Sequence, residues 1–297
     1  MEFDRLAQAK VNLFLHVGAL GDDGYHPLRS LVTFADVGDI VRIRRSEETD
    51  FRIEGPFAAG LSDGADNLVV RARDQFLMAL ADDMPAFTLT LDKRLPIASG
   101  LGGGSADAAA TLLLMAEAFM PPWLEDPDSP LREIARRLGS DVPMCLSGVA
   151  ALASGRGDEL GNPLATFDDL DVVLVNPGVA SPTGAVYRAY DDAGAPGGDD
   201  EPAWPESLET PSDLARFLAG TRNDLEAPAV ALNPAIGETL ATLRAQPETL
   251  FARMSGSGAT CFAICADHHD AEDLALRLGS ARPAWWVKPC RLAGFRP

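Results

Sequence analysis

A glycine-rich segment, Gly100–Ser105, carries the strongest chemical signal in the chain. It reads Gly-Leu-Gly-Gly-Gly-Ser and leads into an Ala- and Leu-rich stretch with high helix propensity. Glycines let backbone N–H groups approach an anion without a Cβ in the way, and a helix start adds unpaired N–H groups. The segment therefore favours phosphate binding over a flexible turn capped by Ser105. No Lys-Ser/Thr pair follows as in a Walker loop, and Ser105 replaces the third glycine of a dinucleotide fingerprint.

Two charged residues, Lys10 and Asp141, are of types that could act on a reacting hydroxyl group. Lys10 lies beside Asn12 on the polar side of an alternating strand pattern. Spacing alone favours a lysine that faces solvent, and the alternative is a cation beside a transferring phosphate. Asp141 stands two residues before Pro143, which is typical of a residue that caps a short helix. The alternative for Asp141 is a general base that accepts a hydroxyl proton.

Three loop motifs have both a structural and a binding interpretation. Tyr25 and His26 follow the turn 20–24, and they could stack on a base and hydrogen-bond its edge, or pack within the loop. Asn67 is most simply a helix cap, with contact to an adenine ring as the alternative. Ser255–Gly258 is similar to a second backbone site for an anion, although turns of Gly and Ser are common.

Hydrophobic periodicity predicts the elements that must position these residues. The predicted strands are 9–17 (with one apolar face), 30–35, 39–45, 87–92, 172–175, 261–265 and 284–291. The predicted helices are 67–81 (capped by Asp66 or Asn67), 106–119, 131–138, 211–219, 234–245 and 270–278. Interleaved strand pairs and helices predict an α+β fold in two lobes, 1–160 and 161–297, rather than a doubly wound sheet. The Gly-, Pro- and acid-rich stretch 191–205 is expected to be a mobile surface loop or an insert.

The composition of the 297-residue chain excludes several classes of protein. With 25 Lys and Arg against 44 Asp and Glu, the formal net charge is −19. Such a surface repels nucleic acid and anionic lipid, so any phosphate site must be built locally. No apolar run approaches the ~18 residues needed to span a bilayer. The four cysteines form no CxxC pair, and the acidic N-terminus is a poor secretory signal, so we expect a cytoplasmic protein with reduced thiols.

Three segments taken together, Gln8–Leu13, Pro96–Asp107 and Met254–Thr260, resemble the three motifs of the GHMP kinase superfamily. Within that superfamily the chain is most similar to the branch that phosphorylates 4-diphosphocytidyl-2-C-methyl-D-erythritol in the non-mevalonate route to isoprenoid precursors. The additional landmarks are Asp23–His26, Asp66–Leu68, Leu138–Pro143 with Gly155–Gly157, and Asn176–Gly178 followed by Thr183 and Tyr187. The set covers nearly the whole chain and is specific, whereas any one glycine motif is not.

The resemblance implies a ribosomal-protein-S5-like N-terminal lobe that binds ATP, a ferredoxin-like C-terminal lobe, and transfer of the γ-phosphate to the 2-hydroxyl of a cytidyl substrate. Asp141 would be the base and Lys10 the neighbouring cation, with Mg²⁺ as a second cofactor. The implied ATP-binding residues are Asn67, Pro96, Ile97, Ala98, Ser99, Gly100, Leu101, Gly102, Gly103, Gly104 and Ser105, and Ser105 is also a candidate metal ligand. The implied substrate-binding residues are Asn12, Tyr25, His26, Asp141, Thr183 and Tyr187, with the cytosine between the two tyrosines.

Two departures from the family pattern could alter the loops: Gln8 replaces the usual Pro and Ala98 occupies a position that is often Gly. The main alternative is another GHMP kinase that acts on homoserine, mevalonate or a sugar, although such acceptors need no base-stacking platform. A non-catalytic nucleotide sensor would have lost Lys10 or Asp141, and an NAD-dependent oxidoreductase would carry GxGxxG. We expect a small-molecule substrate, no nucleic acid or membrane partner, and a monomer or weak homodimer.

Overall fold

The computed structural model describes residues 2–22, 24–80, 84–194, 197–205 and 207–295. Its strands are β1 Glu2–Val17, β2 Leu28–Arg45, β3 Asp50–Glu54, β4 Phe87–Asp92, β5 Ala151–Ser154, β6 Glu159–Gly161, β7 Leu170–Asn176, β8 Phe251–Met254, β9 Cys261–Ile264 and β10 Trp286–Leu292. Its helices are α1 Leu68–Ala79, α2 Gly103–Phe119, α3 Pro122–Glu125, α4 Leu131–Leu138, α5 Val142–Ser147, α6 Thr183–Asp192, α7 Pro211–Ala219, α8 Glu226–Leu232, α9 Pro234–Arg244 and α10 His268–Ala281. This mixture of strands and helices confirms the predicted α+β class.

The chain forms two compact units that do not follow one cut in the sequence. The first unit comprises Met1–Ala9, Val37–Leu95 and Gly102–Gly148, and the second comprises Lys10–Asp36, Pro96–Leu101 and Val149–Pro297. Strands β1 and β2 and the glycine-rich segment therefore each contribute residues to both units. The predicted division into lobes at residue 160 stays a prediction.

The first unit is built around β4, which pairs antiparallel with the second half of β2 and parallel with β3. Helices α1 and α2 pack together against this sheet. Residues 106–112 and 114–116 of α2 are buried, because its alanines and leucines leave few polar positions around the helix. An Asp inside so apolar a helix, Asp107, is therefore exceptional and belongs to the site described below.

In the second unit, β7 lies between β10 and β9 and pairs antiparallel with both, and β8 pairs with β9. The four residues Val172–Val175 are buried on both faces of β7, as their continuous apolar run predicts. The first half of β2 pairs with β5, and its Ala35 lies opposite Leu292 at the end of β10.

Several predicted bounds agree with the structure, and the differences have physical causes. The strand 87–92 and the helices 131–138 and 211–219 are confirmed to the residue. The predicted strands 30–35 and 39–45 are one strand, because Gly38 does not turn the chain. A Cβ at Gly38 would lie 2.0 Å from the Ala7 carbonyl oxygen, so glycine serves close packing there. The predicted end of α1 at Ala81 and the motif residue Asp23 lie outside the described residues.

The prediction that β1 has one apolar and one polar face is wrong, because residues 9–17 are buried on both faces. The polar residues are accommodated by partners within the second unit. His16 is 1% exposed, its Nδ1 lies 2.7 Å from the Asp200 carbonyl oxygen, and its Nε2 accepts a bond from the Arg222 N–H. Burial accordingly lowers the pKa of His16 below its ordinary value.

The stretch 191–205 is predicted to be a mobile surface loop or an insert, and side-chain contacts attach its described part to the second unit. The Trp204 ring contacts the rings of Phe14 and Phe217, with ring centres 6.4 and 4.8 Å away. The Arg222 guanidinium donates to the Asp200 carboxylate at 2.6 Å. None of the helices in the described ranges is long and apolar enough to cross a membrane.

Candidate active site

The glycine-rich segment has the geometry of an anion site at the start of α2. Gly102 is the N-cap residue with a left-handed φ of 63°, and no side chain caps the helix. Gly103, Gly104 and Ser105 form the first turn, whose N–H groups have no partner within an α-helix. Ser105 thus lies inside the helix and does not cap it, which contradicts the interpretation of the segment as a Ser-capped turn. The first turn of α2 presents N–H groups and the positive end of the helix dipole to an anion.

A buried ionic cluster that sequence reasoning missed lies beneath this turn. The Lys93 ammonium donates to Asp39 Oδ2 at 2.5 Å and to Asp107 Oδ2 at 2.8 Å, and the three side chains are 5%, 0% and 4% exposed. A Cβ at Gly103 would lie 3.0 Å from Lys93 Nζ, so the ammonium lies directly under the first residue of α2. The available sequence signal was Asp107, an acid within an apolar helix that requires a buried partner.

The charge balance of this cluster keeps it from repelling an anion. Asp39 also accepts from the backbone N–H groups of Arg94 and Leu95, at 2.6 and 2.8 Å. Burial raises the pKa of Asp107 to about 8, although the Lys93 ammonium opposes the rise. Burial disfavours the ammonium, but the two carboxylates raise the pKa of Lys93 overall. Because burial favours the neutral form of Asp107, the negative charge of the two carboxyl groups is reduced beside the Lys93 ammonium.

Asp141 and Asn67, also in the first unit, both occupy N-cap positions but use their side chains differently. Asp141 precedes α5 as predicted, yet its side chain makes no capping hydrogen bond. The capping interpretation of the Asp141 carboxylate is therefore wrong. Asn67 Oδ1 accepts from the Val69 N–H at 2.9 Å, and its Nδ2 donates to the Ser62 carbonyl at 2.7 Å. The capping role of Asn67 is confirmed, and its contact with adenine stays a prediction.

In the second unit, Lys10 and Asn12 are buried on β1, with 8% and 5% exposure. The interpretation of Lys10 as a solvent-facing lysine is therefore wrong. Asn12 Nδ2 donates to Ser30 Oγ at 2.7 Å, and the buried Asn12 Oδ1 accepts no hydrogen bond from the described protein atoms. Because an unsatisfied buried oxygen is costly, Asn12 Oδ1 is a natural acceptor for a hydroxyl group of a bound molecule.

The segment 255–260 supports the glycine-rich segment from within the second unit. Ser255 Oγ donates to the Gly100 carbonyl at 3.0 Å, and Thr260 N–H donates to the Ser99 carbonyl at 2.9 Å. A Cβ at Gly100, whose φ is 75°, would lie 2.3 Å from the Ser255 carbonyl oxygen. Lys10 N–H donates to the Leu101 carbonyl at 2.8 Å, which ties β1 to the same segment. Because residues 254–260 are buried, they stabilise the glycine-rich segment and do not form a second open anion site.

Ala98, in the same segment, has a left-handed φ of 49°, a conformation that disfavours any residue with a Cβ. The Ala98 carbonyl accepts from the Ser181 N–H at 3.0 Å, which fixes this conformation. Pro96 is buried, whereas Ile97 and Ala98 are exposed. The family preference for Gly at position 98 thus corresponds to a backbone strained by alanine.

The aromatic side chains predicted to bind a base lie in the second unit. The rings of His26 and Tyr187 lie 5.0 Å apart, and His26 Nε2 is 2.7 Å from Asp191 Oδ1. Tyr25 is 53% exposed, and the Arg156 guanidinium carbon lies 4.2 Å from the centre of its ring. Thr183 Oγ1, at the start of α6, lies 2.9 Å from Ser257 Oγ.

Known protein families and relatives match this chain over nearly its full length. The family profile "GHMP kinases N terminal domain" matches residues 67–149, and "GHMP kinases C terminal" matches residues 206–284. The chain is 52% identical over 294 residues to the 4-diphosphocytidyl-2-C-methyl-D-erythritol kinase of Caulobacter vibrioides, covering 99% of this chain and 100% of the relative. It is 43% identical over 290 residues to the enzyme of that name from Brucella melitensis, covering 96% and 93%.

Solved structures agree with these relatives. A crystal structure of 4-(cytidine 5'-diphospho)-2C-methyl-D-erythritol kinase superposes with a TM-score of 0.75 and 32% identity, covering 99% of this chain and 100% of that one. A homoserine kinase from Cytophaga hutchinsonii superposes with a TM-score of 0.64 and 17% identity, covering 99% and 97%. At 17% identity, the second match shows a shared fold alone.

Proposed function

Because the chain belongs to the GHMP kinases, and among them to the 4-diphosphocytidyl-2-C-methyl-D-erythritol kinases, we propose that it transfers the γ-phosphate of ATP to the 2-hydroxyl group of 4-diphosphocytidyl-2-C-methyl-D-erythritol. The observation that carries this proposal is 52% identity along the full length of a kinase of that name. Homoserine, mevalonate and sugar acceptors are less well supported, since the homoserine kinase shares 17% identity with this chain. The reaction serves isoprenoid precursor synthesis, and its charged soluble substrates suit a cytoplasmic enzyme.

The ATP phosphates bind at the first turn of α2, with Pro96–Leu101 and Gly102–Ser105 around them and Asn67 near the adenine. The uncapped N–H groups of this turn supply the donors, and the Lys93 ammonium, which Asp39 and Asp107 hold, lies beneath Gly103. Phosphoryl transfer needs little covalent help from a protein. Positioning and charge stabilisation therefore account for most of the catalysis in this class of reaction.

Mg²⁺ fits these residues as an ion that arrives with the nucleotide. Among the described residues, no three metal-binding side chains lie close enough together to hold an ion by themselves. Mg²⁺ commonly binds substrate phosphates and keeps several of its waters, so few protein ligands are needed. The Ser105 hydroxyl group, in the first turn of α2, would be its protein ligand. When bound, the ion offsets negative charge on the phosphates during transfer.

On the acceptor side, Asp141 takes the proton of the 2-hydroxyl group as its oxygen attacks the γ-phosphorus, and ADP leaves. Lys10 acts as the cation that orients this hydroxyl group and favours its ionisation. The buried Asn12 Oδ1 accepts a hydrogen bond from the methylerythritol part. Two observations support these roles: Lys10 is buried rather than facing solvent, and the Asp141 side chain does not cap α5.

The cytosine stacks between Tyr25 and Tyr187, with Thr183 near the substrate and His26 at the edge of the base. His26 Nε2 lies 2.7 Å from Asp191 Oδ1, and this contact orients the ring that would meet the edge of the cytosine.

The decisive experiment measures ADP release with the cytidyl substrate and, in parallel, with homoserine and mevalonate. We expect turnover of the cytidyl substrate alone, and turnover of homoserine alone would refute the acceptor assignment.

Asp141→Asn should lower kcat by about 10²–10⁴-fold and leave ATP affinity within a factor of about three, because a base acts on the acceptor proton. Asp273→Asn, at a side chain that is 54% exposed on α10, is the matched control.

A further inference from the structure

Ser30, on β2, makes two hydrogen bonds that the roles assigned above do not use. Its Oγ donates to the Phe14 carbonyl at 2.6 Å and accepts from Asn12 Nδ2 at 2.7 Å. Ser30 is 1% exposed and Asn12 is 5% exposed, so both bonds lie away from solvent. A buried hydroxyl group is therefore bonded directly to a residue that is assigned to acceptor binding.

The direction of these two hydrogen bonds decides which end of the Asn12 amide faces Ser30. A carbonyl oxygen can only accept, so the single hydroxyl proton of Ser30 is used at Phe14. The Ser30 oxygen then offers only lone pairs to Asn12, and only the NH₂ end of an amide can donate to them. A reversed amide would bring its oxygen against those lone pairs. Ser30 thereby fixes Asn12 with Nδ2 toward Ser30 and Oδ1 away from it.

The oxygen end of Asn12 is left as an acceptor. Its Oδ1 is buried and accepts no hydrogen bond from the described protein atoms. A Cβ at Gly256 would lie 3.2 Å from Oδ1, so glycine at this position keeps a side chain from crowding the oxygen. The Asn12 N–H donates to Ser255 Oγ at 3.1 Å, which holds the backbone of the residue as well. Asn12 is therefore held at its backbone and at Nδ2, while Oδ1 needs a donor from a bound molecule.

We propose that Ser30 is a positioning residue for the acceptor alcohol, which fixes the Asn12 amide so that Oδ1 accepts from a hydroxyl group of the substrate. This inference rests on the proposed function, because that function places the methylerythritol part at Asn12. Ser30 acts through Asn12 in this scheme and touches neither substrate nor ATP. Without the Ser30 hydroxyl group, the amide would lose the contact that distinguishes its two ends, and both orientations would be populated.

A double-mutant cycle tests whether Ser30 acts through Asn12. Ser30→Ala should lower kcat/KM for the cytidyl substrate by about tenfold, the equivalent of one buried hydrogen bond, and leave KM for ATP within about twofold. In the Asn12→Ala background, the same change should lower kcat/KM by less than about twofold, because the effects of residues in direct contact do not add. The matched control is Thr33→Val, which removes another buried hydroxyl group of β2, bonded to the Ala293 carbonyl at 2.5 Å, and should leave kcat/KM unchanged.

Magnetic resonance signals of the side-chain amides test the contact without any substrate. The Asn12 Nδ2 signal, identified by its loss in Asn12→Ala, should shift in Ser30→Ala and stay in place in Thr33→Val. An unshifted signal would overturn the inference, as would an unchanged kcat/KM in Ser30→Ala or a tenfold loss that persists in the Asn12→Ala background. If the wild-type protein left the cytidyl substrate unphosphorylated, the proposed function would be wrong, and the amide signal would still decide whether Ser30 orients Asn12. Urea denaturation of each variant checks that folding is intact.

Discussion

Replacing Lys93 by methionine tests whether the buried ionic cluster beneath the first turn of α2 stabilises the fold. Lys93→Met keeps the length and apolar stem of the side chain and removes the ammonium group. Two charge-assisted hydrogen bonds, at 2.5 and 2.8 Å, are lost where all three side chains are at most 5% exposed. Removing one partner of such a buried ionic pair costs about 3–5 kcal/mol, because the remaining charge is left uncompensated.

The structure places the expected loss near the lower end of that range. Burial raises the pKa of Asp107 and favours its neutral form, so most of the uncompensated charge falls on Asp39. Asp39 still accepts two backbone hydrogen bonds, from Arg94 and Leu95. We therefore expect the free energy of unfolding to fall by about 3 kcal/mol at pH 7. The double variant Lys93→Met/Asp39→Asn should recover a large part of this loss, because it removes the stranded charge.

Urea denaturation followed by circular dichroism measures these differences. The matched control is Arg216→Met, which removes an exposed partner of Asp213 and should cost under about 0.5 kcal/mol. A loss below about 1 kcal/mol for Lys93→Met would refute the account of a buried charge. So would a double variant less stable than Lys93→Met. In either case the cluster would be more hydrated than its burial indicates.

Three further predictions concern single residues. The raised pKa of Asp107, about 8, means that the folded protein keeps a proton that the unfolded chain releases above pH 3.8. The free energy of unfolding should accordingly fall as pH rises from about 4 to 8, and Asp107→Asn should flatten this slope in denaturation curves. Ala98→Gly should raise the melting temperature, with a gain of up to about 1 kcal/mol from relief of the left-handed strain, and a loss would show that the alanine is unstrained. Tyr25→Ala should raise KM for the cytidyl substrate by the equivalent of about 1–3 kcal/mol of stacking, and an unchanged KM would remove Tyr25 from the base site.

Hydrophobic periodicity and end residues were enough to predict those helices and strands that a short stretch of sequence defines by itself. The helix Leu131–Leu138 ends at a glycine, and the strand Phe87–Asp92 alternates between apolar and polar residues. The short strands Asp50–Glu54 and Glu159–Gly161 could not be found in this way. Their partners on β4 and β5 lie elsewhere in the sequence or across a tight turn, and tertiary pairing fixed them.

For the site, sequence supplied the residues and structure supplied their environment. The alternation of apolar and polar residues on β1 placed Lys10 and Val11 on opposite faces of the strand. It could not show that both faces are buried. The glycine-rich segment predicts an anion site, but nothing in the sequence around Lys93 predicts that its ammonium lies under Gly103. Its importance depends on Asp39, which is 54 positions earlier in the chain and hydrogen-bonds to it. Hydrophobic periodicity cannot predict an ionic cluster whose members lie far apart in the sequence.

A chain with a net charge of −19 can use anionic substrates only if its cations act at short range. At 4 Å, two unit charges interact by about 1 kcal/mol in bulk water and about 4 kcal/mol where the effective dielectric constant is near 20. Lys10 and Lys93, at 8% and 4% exposure, are in the second situation, and salt screens such buried charges weakly. Asp39 and Asp107 hold the Lys93 ammonium beneath the first turn of α2, and burial favours the neutral form of Asp107. The acidic surface is therefore compatible with phosphate chemistry. The net negative charge of the protein repels an anion at long range, whereas the buried lysines attract it at short range.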